Sequence, residues 1–185
     1  MNAQRIEGAV ALVTGANRGI GRALTEALRT RGVRKVYATA RDLEALRALR
    51  DERIVSLRLD VTDAEQIRAA GEAASDVELV FNNAGVALAR GIADSTALGQ
   101  ARREMEVNYF GPLQLLQRLA PTLARNGGGA VVNIGSAAGL TNLPFFPTYS
   151  ASKAALHSLT QAARILLGLR APRSSASTRA PLTPK

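Results

Sequence analysis

The chain has 185 residues, 46% of them hydrophobic, with a mean hydropathy of zero; this suits one globular domain with a real core, and no apolar run reaches the roughly eighteen residues of a membrane span. With no cysteine, disulfides and thiolate metal sites are excluded, and a single histidine, His157, argues against a metal centre. The net charge of +9 is concentrated, since residues 154–185 hold five basic and no acidic side chains, and no recognition motif accompanies it, so nucleic acid is not expected as a partner.

The opening MNAQRIEGAV has no basic stretch leading into a long apolar core, so no secretion signal is expected and the expected location is cytoplasmic. AVALVTG (9–15) is a short apolar run of buried-strand type. IGRALTEALRTRG (20–32) carries apolar residues at helical spacing and stops at Gly32. KVYATA (35–40) predicts the second strand, DLEALRALR (42–50) a helix with Asp42 as N-cap, and RIVSLRLDV (53–61) the third strand. DAEQIRAAGEAA (63–74) predicts a helix, and VELVFNNAG (77–85) a fourth strand running into Asn-Asn-Ala-Gly.

A long helical region covers roughly 97–125, with an interruption expected near VNYFGP because Gly111 and Pro112 suit a helix interior poorly. GAVVNIGS (129–136) predicts the fifth strand, AAGLTNLPFFP (137–147) a loop, and the residues from about Tyr149 to Leu169 a helix. Strand and helix alternate five times without a linker, which predicts an α/β fold: a doubly wound parallel sheet of Rossmann type, covered on both faces. The domain is expected to span 1–169. Residues 170–185, RAPRSSASTRAPLTPK, hold three prolines and no apolar run of four, and predict a disordered basic tail.

TGANRGIG (14–21) lies between the first strand and the first helix, the setting in which a glycine pattern gains meaning. Gly15 permits the turn, Gly19 lets backbone approach a pyrophosphate, and Gly21 allows close helix–strand packing. The helix N-terminus then faces the anion. Gly15, Asn17, Arg18, Gly19, Ile20 and Gly21 are the loop's candidates for binding a dinucleotide. At the end of the second strand, where an NAD site usually has a carboxylate, the sequence reads Ala40-Arg41. Arg18 and Arg41 can converge on a 2′-phosphate, which favours NADP(H) over NAD(H).

Tyr149 and Lys153, in YSASK, are four apart and share one face of a helix. An ammonium beside a phenol favours the phenolate, bringing tyrosine toward the range where an acid/base group works at neutral pH. His157, four residues further on, reads as a packing or interface residue. The segment LTNLPFFP (140–147) reads either as lining for an apolar carbonyl compound or as a buried loop.

With the glycine loop, NNAG, NIGS and YSASK in this order, the chain resembles the short-chain dehydrogenase/reductase family from about residue 9 to 169. The resemblance implies an oxidoreductase interconverting a carbonyl compound and a secondary alcohol, with a small-molecule substrate and assembly into a homodimer or homotetramer. It implies that Asp60 and Val61 contact the adenine ring and that Asn82, Ala84 and Gly85 steady the sheet beside the cofactor. Asn108, Ser136, Tyr149 and Lys153 fall where the family places its catalytic four. Tyr149 is then the acid/base, Lys153 also holds the nicotinamide ribose, Ser136 orients the carbonyl, and Asn108 holds a water relaying protons to Lys153. The family's sixth and seventh strands are not readable after Leu169, and the abrupt change of composition there predicts that the usual ending is missing or replaced.

Overall fold

The computed structural model describes residues 5–88 and 91–168. Among these residues five strands form one parallel sheet in the order β3-β2-β1-β4-β5. They are β1 (Val10–Val13), β2 (Lys35–Ala40), β3 (Ile54–Arg58), β4 (Leu79–Asn82) and β5 (Ala130–Asn133). The main helices are α1 (Gly19–Thr30), α2 (Ala64–Ala73), α3 (Ala97–Met105), α4 (Gly111–Arg125) and α5 (Pro147–Gly168).

The continuous apolar text of β1 is explained by burial on both sides. All four of its residues are fully buried, and the alternation of a strand sends them to two different cores. Val10 and Leu12 pack with Val80, Val107, Leu115 and Leu119 on the α2/α4 side. Ala11 and Val13 pack with Leu28, Val36 and Ala38 on the α1 side. β2 splits in the same way, with Tyr37 in the first core and Val36, Ala38 and Ala40 in the second.

One expectation about helices needs correction. Residues 42–50 form a single tight turn at Glu44–Leu46 instead of a helix. Asp42 Oδ1 accepts from the Glu44 N–H at 3.0 Å, a local bond that competes with helix propagation, and only Leu46 and Leu49 find the core. The interruption expected near VNYFGP is a π-helical turn over Glu106–Phe110, between α3 and α4. Pro112 thereby lands in the first turn of α4, where a missing N–H costs little. Gly111 is there for space, since a Cβ on it would lie 2.9 Å from Val61 O.

Among the described residues β5 is an edge strand, paired on one side only with β4, and its Val132 is 38% exposed. Among the described residues, no helix is long and apolar enough to cross a membrane. The expected disordered tail, 170–185, lies outside the described residues.

Candidate active site

The carboxyl ends of all five strands deliver the sequence's candidate residues to one edge of the sheet, where the strand order turns back at β1. Such a reversal opens a crevice between neighbouring crossover helices. Gly15 leaves β1 with φ +65° and Gly19 opens α1 with φ +52°, both in the left-handed region that glycine alone adopts freely. A Cβ on Gly21 would run into the Gly15 carbonyl oxygen and Asn83 Nδ2. Asn17, Arg18 and Ile20 complete the loop and the first turn of α1, with Ile20 65% exposed. The backbone therefore forms a cradle with bare N–H groups at a twelve-residue helix N-terminus, which fits a pyrophosphate.

The loop is tied to β4 by residues that motif reading left aside. Thr14 Oγ1 accepts from the N–H groups of Asn83 and Ala84, both at 2.9 Å. Asn83 Nδ2 donates to Thr14 O at 2.8 Å and to Gly15 O at 3.2 Å. Asn82 points elsewhere, donating through Nδ2 to Asn133 Oδ1 on β5 at 2.8 Å. Thus Asn82 steadies the sheet and Asn83 steadies the loop. A buried hydroxyl next to a strand-ending glycine was the available sign for Thr14, which is 1% exposed.

At the far corner, Arg41 follows β2 and Asp60 follows β3. Asp60 accepts from Thr62 N–H at 3.0 Å and Thr62 Oγ1 at 2.8 Å, and its other oxygen lies 3.8 Å from Arg103. Burial pushes the Asp60 carboxyl up, but the Thr62 bonds and the charges of Arg103 and Arg41 leave it below its ordinary value. Val61 is buried against Gly111. Arg18 and Arg41 are exposed, and among the described residues neither side chain forms a hydrogen bond or salt bridge. Asp42, the nearest carboxylate in sequence, is engaged in its own turn.

Of the four expected catalytic residues, Tyr149 and Lys153 lie on α5, Ser136 follows β5 and Asn108 lies in the π-helical turn. Pro147 starts α5 with its fixed φ, which places Tyr149 in the first turn and Lys153 one turn on. Lys153 Nζ sits 5.9 Å from the Tyr149 ring centroid and donates to Ile134 O at 2.8 Å. Lys153 is 6% exposed, and burial pushes its ammonium below the ordinary lysine range. Ser136 caps a short turn, accepting from the Ala138 N–H at 3.2 Å, which leaves its hydroxyl proton free to donate. A Cβ on Gly85 would lie 3.2 Å from Asn108 Oδ1 and 3.6 Å from Lys153 Nζ, so this glycine admits both side chains.

Asn108 is fully buried and works as a clamp. Its Oδ1 accepts from Val86 N–H at 2.9 Å, and its Nδ2 donates to Val86 O at 2.8 Å and to Ser152 Oγ at 2.9 Å. Both ends of the Asn108 side chain are thus engaged by protein groups. One turn earlier, Glu104 Oε1 accepts from Leu88 N–H at 2.7 Å. Ser152, which the sequence reading passed over, is buried and donates to Tyr149 O at 2.8 Å.

Ser136, Lys153, Leu140 and His157 line a common cavity of about 360 Å³. The apolar segment that follows Ser136 is at the surface, not buried: Leu140 is 73% and Phe145 83% exposed. His157 is exposed as well and lies 3.4 Å from Gln161 Nε2.

The pattern of the short chain dehydrogenase family matches residues 9–170. The chain is 39% identical over 163 residues to the short-chain dehydrogenase PC-15 of Penicillium crustosum, covering 84% of this chain and 59% of that one. It is 37% identical over 173 residues to human 17-beta-hydroxysteroid dehydrogenase type 1, covering 85% and 52%. A short chain dehydrogenase from Burkholderia cenocepacia solved in complex with NADP superposes with a TM-score of 0.86 at 42% identity, covering 90% of this chain and 70% of that one. The chain therefore spans about half to three fifths of the curated relatives it matches. With a parallel Rossmann-type sheet and matches along nearly its whole described length, the chain belongs to the short-chain dehydrogenase family.

Proposed function

We propose that this chain is an NADP(H)-dependent oxidoreductase that interconverts a carbonyl compound and a secondary alcohol, with Tyr149 as general acid/base. The observation that carries the reading is the shared geometry of the reaction groups. Lys153 lies beside the Tyr149 ring and lines one cavity with Ser136. Bound NADPH supplies the hydride. The protein's residues do the rest. The free hydroxyl proton of Ser136 holds the carbonyl oxygen, Tyr149 delivers a proton to that oxygen, and the Lys153 ammonium stabilises the phenolate that remains. A role for Asn108 in passing protons to Lys153 belongs to the same proposal.

The glycine cradle would hold the pyrophosphate, Asp60 and Val61 would face the adenine, and the exposed Arg18 and Arg41 would meet a 2′-phosphate. The NADP bound in a 42% identical relative supports that preference. The exposed Leu140, on the rim of the same cavity, supports an apolar carbonyl substrate. A domain spanning 1–169, a cytoplasmic location and assembly into a dimer or tetramer belong to this reading too.

A second reading, a non-catalytic chain that binds part of the cofactor or a partner subunit, is favoured by the outer edge of β5, which pairs with no strand among the described residues. Following NADPH oxidation with a panel of ketones, alongside NADPH binding, separates the two. Binding without turnover overturns the oxidoreductase reading. Turnover that disappears in Tyr149→Phe overturns the other.

A further inference from the structure

We propose that Thr160, through Asn133, is a positioning residue for Lys153. The two adjacent residues at the end of β5 are each attached to α5, and the attachments lie two turns apart on the helix. The first is Lys153 Nζ donating to Ile134 O at 2.8 Å. The second is Asn133 Nδ2 donating to Thr160 Oγ1 at 2.8 Å, while Thr160 Oγ1 donates to Leu156 O at 2.7 Å. Seven residues of helix separate the two points by about 10 Å. A single tie would let the helix pivot about it; two ties fix both its distance from the strand and its rotation.

The strand end is itself fixed. Ile134 N–H donates to Asn82 O at 2.9 Å, and Asn82 Nδ2 donates to Asn133 Oδ1 at 2.8 Å. Asn82 is 3% exposed and its Oδ1 has no partner among the described residues, so its Nδ2 bond is its side chain's one anchor. The chain Asn82–Asn133–Thr160 therefore crosses from β4 through β5 to α5, and the carbonyl that receives the Lys153 ammonium sits in the middle of it.

The tie matters because a cavity adjoins it. Asn133, Lys153, Leu156 and Thr160 all line the 360 Å³ space that also holds Ser136. Leu156, which lies between the two attachments along the helix and whose carbonyl accepts from Thr160, is 2% exposed. Without the Thr160 hydroxyl, Asn133 Nδ2 loses its acceptor in a partly buried place, the helix end can swing away from β5, and water reaches Lys153. The titratable groups on α5 and the elements packed against it are Tyr149, His157 and Arg164 on α5, Arg102, Arg103 and Glu104 on α3, Glu106 and Tyr109 in the π-helical turn, and Arg118 and Arg125 on α4. Among the described residues Lys153 meets the Tyr149 ring and forms no ion pair, so hydration is the variable that the tie controls.

The proposal rests on Lys153 belonging to the reaction centre, but its test needs no turnover. The chain has only three lysines, Lys35, Lys153 and Lys185. In the full chain labelled with ¹³C,¹⁵N-lysine, three side-chain signals can be followed against pH, with Lys153→Arg identifying the one of interest. Lys153 is expected to titrate below the other two. Thr160→Val, equal in shape but without the hydroxyl, is expected to move that midpoint up toward them, and Thr160→Ser to restore it. An unchanged midpoint in Thr160→Val, or one that Thr160→Ser fails to restore, overturns the proposal. If Thr160→Val loses the cooperative melting transition, Asn133→Ala cuts the same tie from the strand side and is expected to give the same shift. If neither variant folds, the tie is a requirement of folding and not a positioning device, and the proposal is overturned. Absence of NADPH oxidation by the unmodified chain would count against the oxidoreductase reading alone.

Discussion

Asn108 and Ser152 meet between the π-helical turn and α5, amide nitrogen to hydroxyl, at 2.9 Å. The same hydroxyl donates to the Tyr149 carbonyl, and the same amide holds both backbone groups of Val86. Asn108→Ala strands those groups in a buried position, each at about 1–3 kcal/mol. The expected result is a melting temperature lower by roughly 5–10 °C, with hydrogen exchange faster at Val86 than at Val80 in the sheet. Uniformly unchanged exchange would show that the segment after β4 is held by something else.

Lys153 is a charge kept where its solvation is poor, with one carbonyl as its hydrogen-bond partner among the described residues. Replacing such a charge with an apolar side chain of similar length stabilises proteins. Lys153→Met is expected to raise the melting temperature at pH 7 by roughly 2–4 °C, corresponding to about 1 kcal/mol, while NADPH binding weakens in a direct titration. Because burial holds the folded-state ionisation of Lys153 below its unfolded value, the cost of the charge is full at neutral pH. It fades as pH rises through the folded value toward the unfolded one. The advantage of Lys153→Met should shrink over the same interval, and a constant advantage across it would disprove the linkage.

Arg18 and Arg41 are expected to read the 2′-phosphate. A charge-assisted bond is worth about 1.5–3 kcal/mol, so Arg18→Ala and Arg41→Ala should each weaken NADPH binding by roughly tenfold or more. NADH binding should stay nearly constant. Equal losses for both cofactors would mean that the two arginines do not distinguish them.

Gly21→Ala tests the glycine cradle. The added methyl meets backbone, the Gly15 carbonyl, as well as the Asn83 amide, so no side-chain rotation relieves it. Overpacking of this kind costs about 1–3 kcal/mol and pushes α1 away from β1. Both the melting temperature and NADPH affinity are expected to fall. Gly99→Ala, at an open helical position, is the control expected to leave both unchanged or to raise the first.

The sheet was readable in the sequence because β1, β2 and β4 are apolar runs bounded by turn residues, and burial on two faces demands that text. The turn at 42–50 was not, because two leucines three apart satisfy a helical pattern as well as a single turn does. What separates them is the local bond to Asp42 Oδ1, a matter of side-chain rotamer. Gly111 shows a similar limit: its reason for being glycine is Val61, fifty positions away. At the site, Tyr149 and Lys153 stood out because their spacing matches a helix turn. Thr14 and Asn83 did not, because their partners are backbone groups brought near only by the fold, and Ser152 did not, because its distant partner is the Asn108 amide.

The position of β1 in the middle of the sheet also sets a timetable for synthesis. Val10 aligns with Lys35 on one side, and Ala11 with Leu79 on the other. As the chain leaves the ribosome, β1 can find β2 early, but its other edge must wait until Leu79–Asn82 emerges. Over that interval a wholly apolar strand, Val10–Val13, presents one unpaired side, and among the described residues the strand pairs are all parallel, so no hairpin there offers a local substitute. Such an edge invites pairing with a neighbouring nascent chain. The yield of soluble protein should therefore follow the rate of translation and the supply of chaperones, rising when expression is slowed by cooling.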